Sequence, residues 1–354
     1  MENLTVLVTS IDTPTALGVL KGLKEIKHIK IIGINSRTLT AGNVFCDRVY
    51  RVPRFTENKD DYFKQLKEII DKEHVQAVFP SHPQEINLYE DYKQHLKIPF
   101  ALPNSSHFNR LTHKDTTYHW LNEHGFSKYI PTYYTFNSHD ELADLIHNEF
   151  KDEEELVIKN TSGYVESDFT LLTHRDKFIE AIETQQSHVF AFEDYLATHN
   201  TDHRMVMKKL DQPEFSVDLY IYDTKTVVSV PRQRIGVANG IVLDGTLIEH
   251  TKLIAISIDI AEAIIDEGFI NLQFMKEDGN FRLTDVNTHF CDSQVMSLGA
   301  GVNFPELFLT YNLTDERPIP RPKWNTRMVR YSESVFFHSY NADDEPAVWT
   351  APDE

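Results

Sequence analysis

The sequence predicts an N-terminal α/β domain on a parallel sheet, followed by an α+β body. Three observations carry this. Apolar runs of strand length at residues 4–9, 29–35 and 75–81 are separated by segments of helical period. Strand alternating with helix is the pattern of a parallel sheet covered by its own crossovers. After about residue 110 the alternation stops, and from Glu214 the chain turns rich in strands, with Gly240 and Gly245 marking turns.

The elements follow in order. A helix at 16–26 puts Ala16, Val19, Leu20, Leu23 and Ile26 on one face and leaves Lys21, Lys24 and Glu25 outside it. Helices at 60–73 and 84–96 and a short strand at 99–102 complete the first domain, residues 1–110. Ligands of such sheets bind at the carboxyl ends of the strands, here Thr9-Ser10, Asn35-Ser36 and Pro80-Ser81-His82. The loop after the first strand has no G-x-G-x-x-G, which argues against NAD or FAD. Helices at 113–125 and 138–150, strands at 155–160 and 169–173, a helix at 175–186 and a strand at 188–196 make up a second segment, 111–196. A third, 197–320, holds the β-rich part and a helix at 253–267. The proline-rich stretch Asp315–Lys323 leads into a tail, 321–354, which either packs on the body or mediates a homodimer.

The chain has 354 residues, 41% hydrophobic and 25% charged, as a soluble globular protein would. Its 35 basic and 54 acidic residues give a net charge of -19, which argues against broad nucleic-acid or anionic-membrane binding. Two cysteines cannot build a disulfide framework, and with no signal-like start the expected compartment is the cytoplasm.

Chemistry concentrates in a few places. The turn Glu277-Asp278-Gly279-Asn280 joins two antiparallel strands and places Gln273, Asp285 and Asn287 on neighbouring backbones. Asp285 and Asn287 share one strand face. Three side-chain oxygens suit a hard cation completed by phosphate oxygens, although a solvated polar face explains the same residues equally well. Lys159 ends an apolar strand, where its charge calls for a partner such as phosphate. The loop Asn160–Asp168 after it has one glycine and reads either as a phosphate cover or as an ordinary turn. Phe190–Leu196 reads as a strand whose Glu193 and Asp194 can accept from the exocyclic amine of adenine, with the Leu196 N–H donating to a ring nitrogen; an exposed strand end is the plainer meaning. Arg232 and Arg234 lie on one strand face and suit a carboxylate or phosphate, or else solvent.

In this order the pieces resemble the ATP-grasp superfamily, in particular its carbamoyl-phosphate-synthase-like group of carboxylate–amine ligases. The resemblance runs from about residue 4 to 310, through Val-Tyr-Arg-Val-Pro53, Val-Phe-Pro-Ser-His-Pro-Gln-Glu85, His113-Lys114-Asp115, Ile158-Lys159, Glu193-Asp-Tyr-Leu196, Glu214-Phe-Ser-Val-Asp218, Val230-Pro-Arg232-Gln-Arg234, Asp285-Val-Asn287 and Gly299–Leu307. It implies an ATP-grasp fold behind a pre-ATP-grasp domain. It also implies ATP with Mg²⁺ (or Mn²⁺) held through Gln273, Asp285 and Asn287. Lys114 and Lys159 would neutralise phosphate, Glu193, Asp194 and Leu196 would hold adenine, and Glu214 the ribose. Arg232, Arg234 and His289 would serve the transferred group. The substrates implied are a small carboxylate and an amine, joined through an acyl phosphate.

The sequence also departs from the family. The usual Glu-x-Asn-Pro-Arg is Asp285-Val-Asn-Thr-His289, the phosphate loop has lost most of its glycines and carries Glu166 and Asp168, and about seventeen residues separate Leu196 from Glu214. These departures support an alternative, a degenerate ATP-grasp protein that binds nucleotide without catalysis. A carboxylase is a third reading. His203 and Arg204 are acceptor-site candidates, and Cys291 is read as a packing residue.

Overall fold

The computed structural model describes residues 4–161, 169–198, 203–238, 240–338 and 345–352, apart from the side chains of residues 83, 87 and 91. Two compact units divide the chain. The first is 1–108, 216–272 and 287–354; the second is 109–215 and 273–286. The tail, expected as a separate segment, therefore belongs to the first unit.

The N-terminal sheet has the order Val348–Thr350, Arg48–Arg51, Ile29–Asn35, Leu4–Thr9, Ala77–Phe79. The four strands from the N-terminal segment are parallel, as the alternation of strand and helix requires. The helix Pro14–Lys24 starts where Thr13 Oγ1 accepts from the Ala16 N–H at 3.1 Å, with proline in its first turn. It buries Ala16, Val19, Leu20 and Leu23, the face read from the sequence. Lys59–Glu73 follows the expected helix closely and ends on His74 in the left-handed conformation.

Two strands here were not anticipated. Arg48–Arg51 is four residues long with only Val49 and Tyr50 buried, too short for a periodicity to show. Val348–Thr350 is antiparallel to it and caps the sheet edge. Glu345 reinforces this, accepting from the backbone N–H groups of Thr38 at 2.7 Å and Leu39 at 3.1 Å. Val348–Thr350 thus joins the N-terminal sheet within the first unit. Conversely, the strand expected at 99–102 is reduced to a single parallel bridge, Val78 to Phe100.

Glu73 ties this sheet to its helix. Its carboxylate takes Lys30 at 2.7 Å, Arg48 at 2.6 Å and the Tyr50 hydroxyl. Burial pushes its pKa up, but the hydrogen bonds outweigh that and bring it down to about 2. A depressed carboxylate contributes stability above its ordinary 4.5 and loses it as pH falls toward 2. Glu73→Gln is expected to cost about 1–2 kcal/mol at neutral pH, since both cations are part-exposed. In denaturant titrations the gap to wild type should close between pH 4.5 and about 2.

A second sheet has the order Asn280–Asn287, Gly268–Glu277, Asp211–Tyr222, Lys225–Ala238, Ile241–Leu247, Arg327–Val329. The division between the units falls inside its first three strands. The predicted hairpin turn is present. Asp278 and Gly279 both have positive φ, 50° and 75°, as a two-residue turn between right-twisted strands needs. The third sheet lies in the second unit, in the order Tyr133–Phe136, Arg204–Lys208, Glu155–Asn160, Phe169–Thr173, Val189–Ala191.

Arg204–Lys208 falls among the seventeen residues between Leu196 and Glu214, where no strand was expected. The strand expected at 188–196 ends at Ala191 and becomes the short helix Phe192–Leu196. Acids in a first helical turn favour this, and Phe192 and Tyr195, three apart, are both buried. Among the described residues no helix is long and apolar enough to cross a membrane.

Candidate functional site

In the second unit the expected phosphate residues converge. Lys114 opens the helix Lys114–Leu121, and its own N–H is fixed to the Thr161 carbonyl at 2.8 Å. Lys159 stands near the end of Glu155–Asn160. Lys114 Nζ lies 3.5 Å from Asp285 Oδ2, and Lys159 Nζ donates to the Thr284 carbonyl at 3.3 Å. Two ammonium groups from different elements therefore meet one dipeptide, Thr284–Asp285. Beneath them Tyr118 is fully buried, and burial, then the Asp285 charge, push its phenol well up, so it stays neutral. The loop between Lys159 and Phe169 carries Glu166 and Asp168, which lie outside the described residues.

The other expected ligands of this unit are dispersed along it. Glu193 and Asp194 are exposed on the short helix, and Asp194 pairs with Arg175. Leu196 ends that helix, so its N–H stands on a helical turn rather than on the expected strand. Glu214 is part-buried on Asp211–Tyr222, and Gln273 is part-buried on Gly268–Glu277. His203 bridges Asn137 at 2.8 Å and Asp115 at 3.1 Å, and Arg204 donates to the Tyr195 hydroxyl at 2.9 Å.

In the first unit Arg232 departs from its expected place. It was expected to hold substrate oxygens, but its guanidinium is 0% exposed. It pairs with both oxygens of Asp218 and donates to Ser216 Oγ at 3.2 Å and Ser293 Oγ at 2.8 Å. Burial disfavours its charge, but Asp218 outweighs this and keeps it protonated. Asp218 also accepts from Asn271 at 2.8 Å and Ser297 at 2.9 Å. Asn271 Oδ1 in turn accepts from Asn287 Nδ2 at 3.1 Å. That bond commits the nitrogen end of the Asn287 amide and leaves its oxygen as the end available to a cation. Arg232 thus acts on Asn287 at two removes. The missed signal was the pattern Asp218 and Arg232, an acid and a base each at the centre of an apolar strand.

Arg234 sits on the same strand, part-buried, and donates to the Gly240 carbonyl at 2.9 Å. Arg330, which the sequence reading did not single out, donates to Asp292 at 3.0 Å. Burial pushes Asp292 up, opposed by the charges of Arg330, Arg234 and Arg232. His289 is 6% exposed. Cys291 meets the same network, and burial, then Asp218, push its thiol up to about 12, consistent with packing rather than attack.

Among the described residues no group of three or more His, Cys, Asp or Glu side chains can hold a metal. The expected set, Gln273, Asp285 and Asn287, brings one carboxylate and two amides. All are hard oxygen donors of the type Mg²⁺ takes, Gln273 and Asp285 in the second unit and Asn287 in the first.

Residues 200–335 match the family model described as ATP-grasp in the biosynthetic pathway with Ter operon, and residues 6–98 match that for the PylC-like N-terminal domain. Biotin carboxylase from Campylobacter jejuni, solved with a β,γ-ATP compound, is similar with a TM-score of 0.62 at 16% identity, over 89% of this chain and 72% of that one. An N5-carboxyaminoimidazole ribonucleotide synthetase bound to ADP gives 0.65 at 14%, over 92% and 81%. L-amino acid ligase from Bacillus licheniformis gives 0.61 at 13%, over 91% and 76%. No curated protein matches in sequence. Residues 200–335 are thus those of an ATP-grasp protein and residues 6–98 those of a PylC-like N-terminal domain, and the fold is that of the ATP-grasp neighbours. Within that superfamily it resembles the carbamoyl-phosphate-synthase-like group of carboxylate–amine ligases.

Proposed function

We propose that the protein is an ATP-dependent ligase that joins a small carboxylate to an amine through an acyl phosphate, releasing ADP and phosphate. The observation that carries this is the pair of ammonium groups, Lys114 and Lys159, brought to Thr284–Asp285. Phosphoryl transfer needs positioning and charge neutralisation more than a protein nucleophile, and two lysines beside a cation-binding carboxylate supply both. Mg²⁺ would be held by Gln273, Asp285 and Asn287, and it would neutralise phosphate charge.

Each remaining role belongs to this chain. Lys114 and Lys159 hold phosphate oxygens. Glu193, Asp194 and the Leu196 N–H serve adenine, and Glu214 the ribose. Arg234, with Arg330 beside Asp292, is the arginine placed to meet a carboxylate, while Arg232 positions Asn287 from within the core. The substrate carboxylate attacks the γ-phosphorus and ADP leaves; the amine then adds to the acyl carbon, phosphate leaves, and the amine loses a proton.

One observation favours a second reading, nucleotide binding without turnover. His289, where the family has arginine, is 6% exposed and shorter in reach. Single-turnover ADP formation separates the two. The enzyme is mixed with limiting ATP, Mg²⁺ and a panel of small carboxylates and amines. Amine-dependent ADP release identifies a ligase. Tight ATP binding with no ADP from any pair would leave only the second reading.

A further inference from the structure

The first turn of the helix Lys114–Leu121 is held from outside the helix. Its N-cap residue, His113, makes no side-chain capping bond, and the N–H groups of a first helical turn have no partners within the helix. Lys114 gives its own N–H to the carbonyl of Thr161, the residue that follows the Lys159 strand, at 2.8 Å. Thr161 Oγ1 in turn donates to the His203 carbonyl at 3.5 Å. His203 then returns to the helix. Its Nε2 lies 3.1 Å from Oδ2 of Asp115, the residue after Lys114. A carboxylate only accepts, so Nε2 is the donor.

Three segments thus close a ring of hydrogen bonds around Lys114, all within the second unit. Separate contacts hold its members in place. Asn160 pairs with Arg204 across neighbouring strands, which brings the flanking Thr161 and His203 side by side. His203 Nδ1 meets Asn137 Oδ1 at 2.8 Å, and the Tyr133 hydroxyl donates to the Asp115 carbonyl at 3.3 Å. The other oxygen of the Asp115 carboxylate, Oδ1, is buried without a hydrogen-bond partner. A buried acceptor left so is costly and calls for an explanation. Among the described side chains His203 is the one that compensates this acid, next to a lysine expected to meet phosphate.

We propose that His203 is a positioning residue for phosphate binding, which fixes the Lys114 turn against the end of the Lys159 strand through Asp115 and Thr161. This rests on the reading of Lys114 and Lys159 as phosphate ligands. It gives His203 a different task from the acceptor-site contact expected of it. His203 touches no reacting group; it sets where Lys114 stands.

Three substitutions separate the Asp115 bond from the bulk of the ring. Gln places its amide nitrogen near the position of Nε2, so His203→Gln keeps a donor for Asp115. Asn reaches only the position of Nδ1, so His203→Asn keeps the Asn137 contact and loses Asp115. His203→Ala loses both. The His203 side chain is 45% exposed, so truncating it opens no core cavity and the variants fold.

Hydrogen exchange on the nucleotide-free protein reads the Lys114 amide directly. Exchange there should quicken at least about tenfold in His203→Ala and His203→Asn and stay near wild type in His203→Gln. Calorimetric titration of ATP with Mg²⁺ reads the consequence. Affinity should fall about tenfold in the Ala and Asn variants, the size of one hydrogen bond to a charged group, and recover in His203→Gln. In a Lys114→Met background His203→Ala should cost nothing further, because the group it positions is gone. A His203 that only supports the fold would cost the same in both backgrounds. Unchanged exchange at Lys114 in His203→Ala, or equal losses of ATP affinity in the two backgrounds, would overturn the proposal and leave the ligase reading standing. Absence of ATP binding by the wild type would overturn both, and quickened Lys114 exchange would then mark His203 as a support of the fold alone.

Discussion

Arg232→Met is expected to destabilise the protein by about 3–5 kcal/mol, the loss seen when one partner of a buried ion pair is removed. Asp218 would keep its charge at a fully buried position with Asn271, Ser297 and the weakly donating Cys291 thiol as its remaining side-chain donors among the described residues. The desolvation cost of that carboxylate is what the measurement would read. Urea unfolding of the wild type and the variant checks it. Arg234→Ala is the control. Arg234 lies two residues along the same strand but is part-exposed and bonded to a carbonyl, so its loss should change stability by no more than about 1 kcal/mol. The double variant Asp218→Leu/Arg232→Met should lose less than the two single losses summed, because it leaves no orphaned charge.

Lys159→Met is expected to lower the rate of ADP formation by about 10²–10³-fold, the range for removing one preorganised group that stabilises developing charge. In the structure Lys159 Nζ donates to the Thr284 carbonyl at 3.3 Å, a neutral acceptor that a phosphate can replace. Lys114→Met should behave differently. Lys114 Nζ is 3.5 Å from Asp285 Oδ2, so its loss also frees the carboxylate of a competing cation. Metal affinity should then rise or hold while ATP affinity falls. Rapid-quench kinetics with titrated Mg²⁺ distinguishes the two variants, and equal losses at all Mg²⁺ concentrations would contradict the separate roles.

Much of this was legible in the sequence because period and turn chemistry are local. The helix Pro14–Lys24 buries the face its spacing marks, and the Asp278-Gly279 turn closes the hairpin that its residues specify. What failed was non-local. Arg232 reads as a surface guanidinium until Asp218, fourteen residues earlier on the neighbouring strand, is known to face it. Arg48–Arg51 and Arg204–Lys208 are strands only because existing sheets supply their hydrogen bonds, and neither has the length to show a pattern alone. Phe190–Leu196 misled for a related reason: an apolar run of three followed by two acids satisfies a strand end and a helix start equally, and the burial of Phe192 and Tyr195 decides for the helix.

The most direct test of the central claim is calorimetric titration of ATP into the wild type and an Asp285→Ala/Asn287→Ala variant, each with and without Mg²⁺. Metal-dependent binding by the wild type that the folded variant loses is the predicted result. Absence of ATP binding by the folded wild type, or binding that neither Mg²⁺ nor the substitutions alter, would contradict it.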